Sequence, residues 1–162
     1  MRNFYKGFLA AALGAFVSLN ASAQVNEQMS DFTTEIEALR TVMQTEMKVL
    51  IMREMVLTDE EAQNFWPLYD EYSAAVKEVG NLRVKVITDY AANYENMTDE
   101  IARQLLDDAV KYEEQKTKLK KKYIKKFRKI LPNVKVTRFF QLENKLNAVV
   151  DFDLAAEIPL ME

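Results

Sequence analysis

The chain has 162 residues, 49% hydrophobic and 29% charged, an ordinary globular composition with enough length for one packed domain. It contains no Cys and no His, which excludes disulfides, Cys/His zinc sites, haem ligation and Ser-His or Cys-His nucleophile pairs. With 3 Gly in all, it also lacks the glycine clusters of phosphate loops and dinucleotide-binding turns.

The first residues look like an address. Arg2 and Lys6 precede a 13-residue apolar stretch, Gly7–Leu19, broken only by Ser18, and Ala21-Ser22-Ala23 follows as a small-x-small site. That order predicts a cleavable secretory signal over residues 1–23, cut between Ala23 and Gln24. The apolar run is shorter than the roughly 20 residues a spanning helix needs, so the chain is not expected to span a membrane. Without Cys there is no lipobox, so the mature chain is expected to be released rather than lipid-anchored, and the expected location is the periplasm or the exterior.

Removal of residues 1–23 would leave 139 residues (24–162), read as a single all-helical domain, with 20 basic and 25 acidic side chains. Gly80 is then the only glycine beside three prolines, which leaves little scope for tight β-turns. The expected fold is all-α.

Four helices follow in chain order. The first is expected over 33–55, started by a capping box of Thr34 with Glu37, with Ile36, Leu39, Met43, Met47, Leu50 and Ile51 recurring at three and four. Thr58 caps the second, with Asp59, Glu60 and Glu61 against the helix dipole. It should run to about Ala92, bent near Gln63 to Pro67 by the interior proline. Thr98 starts the third, which ends before Pro132. The fourth spans about 134–150, leaving 151–162 as a docked tail.

The second and third helices each carry a long apolar seam, Phe65, Tyr69, Tyr72, Val76, Val79, Val86 and Tyr90 on one, and Ile101, Leu105, Ala109, Tyr112, Leu119, Tyr123, Phe127 and Ile130 on the other. The short link 93–97 makes them a long antiparallel hairpin flanked by the other two helices. Its register should set Val86 near Leu105, Val79 near Tyr112, Tyr72 near Leu119 and Phe65 near Phe127. Arg83 falls on the seam opposite Asp108, and an interhelical ion pair is expected there. Trp66 is expected to turn off the seam, with Phe139 and Phe140 as partners.

Leu57-Thr58-Asp59-Glu60 recurs as Met97-Thr98-Asp99-Glu100; two good helix starts would suffice to explain it. The first of these, in an exported His- and Cys-free helical chain, resembles the Leu-Thr-x-x-Gln motif of the Spy/CpxP-type periplasmic proteins, with Glu61 in place of the Gln. A second copy is matched by Met97 to Ile101 or by Leu131 to Lys135, neither of which keeps the Gln. The runs Phe65 to Tyr69 and Arg138 to Lys145 look like a divergent branch of such proteins. The resemblance implies an ATP-independent chaperone or an envelope-stress sensor, and leaves room for a homodimer arranged as a cradle.

Charge is distributed unevenly. Eleven basic residues and no acid lie between Lys116 and Arg138. At 100° per residue, Lys111, Lys118, Lys122, Lys125 and Lys129 fall on one flank of the third helix, whereas Lys120, Lys121 and Arg128 point elsewhere. The five form a candidate stripe for clients or anions, to be weighed against an ordinary solvated helix face. Nucleic acid is not expected, because the chain is acidic overall. Sequence-adjacent carboxylates such as Asp107-Asp108 and Glu113-Glu114 point to different sides of a helix and make no facing catalytic pair. No catalytic residue, metal site or cofactor is expected. The reading is an exported, non-enzymatic binding protein, chaperone-like or sensor-like. The alternatives are an adaptor docking a dedicated envelope partner and a binder of an anionic envelope polymer.

Overall fold

The structure, a computed structural model, describes residues 22–161. The fold is all-α, with no strand among the described residues. The helices are α1 (Ser22–Glu54), α2 (Asp59–Asn93), α3 (Asp99–Phe127) and α4 (Asn133–Glu157), and a 3-10 turn, Tyr94–Asn96, joins α2 to α3. Most of the expected signal segment, including Ala21, lies outside the described residues. Ala23 and Gln24 fall in the first turn of α1.

Two helix boundaries differ from expectation. Thr34 and Glu37 do not start α1, which already runs from Ser22. Nothing between Ser22 and Glu54 is Gly or Pro, so no residue stops the helix from extending past the threonine pair. At the other end, 151–157 is not a tail outside the helix: α4 continues to Glu157, where Ile158 still donates to the Leu154 carbonyl (3.0 Å) before Pro159 ends the pattern.

The two threonine starts are as expected. The Thr58 hydroxyl accepts from the Glu61 amide at 3.2 Å, and the Thr58 amide donates to the Glu61 carboxylate at 2.8 Å, a complete capping box. Thr98 caps α3 by accepting from the Ile101 amide at 3.3 Å. Ile101 stands where a returning carboxylate would be needed, so this cap is one-sided. Both halves of the short sequence repeat are therefore helix starts. Pro67 sits inside α2 without ending it.

The described chain divides into two compact units. One comprises α1 up to Ile51 with the chain from Leu142 onward; the other is residues 52–141. In the first, Met47 and Ile51 are buried, whereas Val49, Val149 and Phe152 are exposed.

The second unit holds the hairpin and an aromatic core. Phe65, Phe127 and Phe139 are fully buried, with Tyr69, Tyr72, Tyr123 and Phe140 almost so. Phe65 meets Phe127 at 5.5 Å between ring centroids, the register expected at that end of the hairpin. Tyr72 meets Tyr123 at 4.9 Å, one helical turn beyond Leu119. Phe139 closes on Phe127 at 4.9 Å and on Phe65 at 5.5 Å, and Phe140 reaches Tyr72 at 5.9 Å. Each such ring pair adds about 0.5–1.5 kcal/mol beyond the area it buries.

Trp66 is not part of that arrangement. It is only half-buried, and its rings meet Phe65 (5.2 Å) and Tyr69 (5.7 Å) on its own helix. The first aromatic of α4, Phe139, goes to the seam residues instead, because one residue step turns Trp66 about 100° away from Phe65.

The expected Arg83–Asp108 pair is replaced. Lys85 is the cation at Asp108, at 4.0 Å, and it also holds Asp89 one turn on. Arg83 lays its guanidinium over the Tyr112 ring at 5.9 Å. A half-buried guanidinium gains more on a flat aromatic face than a compact ammonium does, and the exposed Lys85 reaches the carboxylate from the rim.

Candidate functional site

The basic stretch separates, once folded, into residues that build the unit and residues that face outward. Lys126 donates to the Glu71 carboxylate at 2.6 Å, and the Tyr123 hydroxyl donates to the same oxygen at 2.9 Å. These two donors hold the Glu71 carboxyl below its ordinary range, the Lys126 bond counting most. Burial, followed by the anionic partner, pushes the Tyr123 phenol up. Lys120 stands over the Phe140 ring at 5.3 Å. Lys116 lies over Tyr112 at 5.4 Å and 3.5 Å from Glu113.

Lys135 and Arg138 brace the turn between α1 and α2. Lys135 donates to the Val56 carbonyl at 3.0 Å and to the Glu61 carboxylate. Arg138 donates to Glu54 at 3.2 Å. Val56 has φ of 45°, in the left-handed region usually given to glycine. Donation by Lys135 and by the Thr58 amide keeps the Glu61 carboxyl below the ordinary value of 4.5.

The remaining cations form the outer face of α3. An open trough of about 870 Å³ runs along it, lined by Ala109, Val110, Glu113, Glu114, Thr117, Lys118, Lys121, Lys122 and Lys125. Every lining residue comes from one helix, so the trough has side walls of long side chains and no opposing wall. It cannot enclose a small molecule. It can seat an elongated partner laid along the helix.

Of the five lysines singled out by spacing, Lys118, Lys122 and Lys125 come together at this trough. Lys111, on the same helix, and Lys129, in the turn that follows it, are exposed but do not line it. Lys121, which the wheel placed elsewhere, lines it as well. The spacing 118–121–125 is as good a helical ladder as 118–122–125, and only the orientation of the buried seam decides that both flank one strip. Val110 is half exposed at the acidic end of the trough, and Leu106, one turn before it, is 67% exposed. These two aliphatics are what a spacing argument about lysines passes over.

Among the described residues no group of three or more carboxylates could hold a metal ion, and no buried side-chain polar atom lacks a hydrogen bond. No described helix is long and apolar enough to cross a membrane. Comparison with protein-family models, with curated proteins and with solved structures finds no match.

Proposed function

We propose that this is an exported, non-enzymatic binding protein of the cell envelope, chaperone-like in action, that takes acidic amphipathic stretches of other polypeptides along the outer face of α3. The observation that carries this reading is the trough itself, where four lysines line one end, exposed Val110 stands at the other, and none of the four forms an ion pair with an acid among the described residues. Lysine heads attract acidic segments over distance, while their methylenes and the aliphatics give apolar contact once a segment has arrived. An open site with no opposing wall suits many sequences and binds each weakly.

The test is suppression of aggregation by the purified protein without nucleotide, using an acidic client that unfolds on dilution from denaturant. Protection that falls as salt rises supports the reading, because exposed charges are screened within about 10 Å at 0.1 M salt. Absence of protection at any molar ratio contradicts it. Envelope material that yields one stoichiometric partner would instead favour an adaptor.

A further inference from the structure

Six cations crowd one side of the end of α3: Lys118, Lys121, Lys122, Lys125, Arg128 and Lys129, all of them exposed. The chain keeps winding past the helix end, where the Arg128 amide donates to the Ile124 carbonyl and the Lys129 amide to the Lys126 carbonyl, both at 3.0 Å. At 100° per residue the six therefore share an arc of about 120°, and at 1.5 Å per residue they follow one another about every 3 Å along roughly 17 Å. No acid lies between Lys116 and Arg138, and none of the six forms an ion pair among the described residues. Lys122 stands over the Tyr123 ring at 5.5 Å, and Glu71, the carboxylate that its charge reaches, is held by Lys126 at 2.6 Å. Like charges three and four residues apart on a helix repel, and a matching anion relieves that repulsion.

We infer that this strip binds a linear polyphosphate chain, an anionic polymer with a charge on every unit and no side groups. Charge spacing selects it. An extended polypeptide turns side chains to one face only every second residue, about 7 Å apart, so an acidic segment meets about half of the six. A chain of phosphates carries its charges at about the spacing of the cations and can meet them all. The lack of a stacking surface selects it again. Single-stranded nucleic acid is bound by aromatic platforms beside a basic groove, and the aromatic residues of this stretch, Tyr123 and Phe127, are buried. Five of the six cations are lysines, point charges that take phosphate from many directions, unlike the planar fork of arginine. The strip overlaps the trough at Lys118, Lys121, Lys122 and Lys125, whereas Arg128 and Lys129 lie beyond it. The inference stands on charge placement and does not depend on client binding.

The test is binding of a long, fluorescently labelled polyphosphate to the purified chain, read by anisotropy over a range of salt. Six phosphate contacts predict an affinity that falls about 300-fold between about 50 and 200 mM salt, a logarithmic slope near −4. R128Q/K129Q removes two contacts and leaves the trough intact. Binding by this variant should weaken about tenfold at the lower salt, and its fall over the same range should shrink to about 50-fold. K111Q/K145Q takes the same charge from other exposed positions and should leave the affinity within about twofold, because charges beyond a screening length contribute little. Tripolyphosphate, too short to reach all six cations, should compete only at far higher total phosphate. No binding at the lower salt overturns the inference, as does an equal loss in the two variants or a salt slope that R128Q/K129Q leaves unchanged. Oligothymidylate or polyglutamate of equal charge that binds as tightly also overturns it, because then neither the spacing nor the bare backbone selects the ligand.

Discussion

Val56 is where the sequence and the backbone disagree most. A β-branched residue at φ 45° crowds its side chain against the following carbonyl. The chain has only Gly80 in its helical part, so no glycine was on hand to end α1, and nothing in the sequence announces a left-handed residue there. Lys135, 79 positions later, holds the Val56 carbonyl, a contact no local pattern could reveal. Val56→Gly should therefore raise the stability of the second unit by about 1 kcal/mol, the relieved strain less the extra freedom of the unfolded chain, read as a higher midpoint in urea. A lower midpoint would mean that the Val56 conformation carries no strain.

Glu61 makes the same turn sensitive to acid. Its carboxyl is held below 4.5 by the Lys135 and Thr58 donors, so its stabilisation is fully present above that value and is lost as pH falls through the lowered one. Glu54 and Glu71 shift in the same direction, Glu54 chiefly through Arg53 and Glu71 through Lys126. The thermal midpoint should thus fall between pH 5 and pH 3 (roughly the window these carboxyls set), and Glu61→Gln should lose less over that interval than the wild type. An equal loss would mean that Glu61 does not contribute.

At the scale of elements, α2 and α3 were legible because their starts are chemically marked. Thr58 with three acids, and Thr98 with two, leave little else for those segments to be. The long seams and the short link required a hairpin, and Phe65 against Phe127 is the expected register. What could not be read was the fine rotation of each side chain. Arg83 and Lys85 lie two residues apart, and which of them meets Asp108 depends on where Tyr112 offers its face. The role of Phe139 was hidden for a related reason, because a loop separates it from the hairpin and its partners are all distant in sequence. Phe127→Ala and Phe139→Ala should each cost about 3–5 kcal/mol, as both rings are fully buried in one cluster. Their double variant should cost less than the sum, since the rings touch at 4.9 Å. Additive losses in urea melts would contradict a shared core.

Across the whole molecule, the sequence already showed one strongly basic stretch in an acidic chain. It did not show which of those cations were spoken for. Lys120, Lys126, Lys135 and Arg138 are engaged with rings, carboxylates or a carbonyl, whereas Lys118, Lys121 and Lys125 surround the trough and Lys122 lines it while also standing over the Tyr123 ring at 5.5 Å. The functional reading depends on that division rather than on net charge. It is tested most directly by comparing two variants that remove the same charge from α3 and the turn that follows it. Lys121→Gln with Lys125→Gln takes two cations from the trough; Lys111→Gln with Lys129→Gln takes two from outside it. Glutamine keeps the helix propensity and most of the side-chain length. Protection of an acidic client against aggregation should fall about tenfold in apparent affinity, roughly 1.4 kcal/mol, for the trough pair, and change by less than about twofold for the other. If both pairs lower protection equally, only net charge matters, and the outer face of α3 is not the binding site.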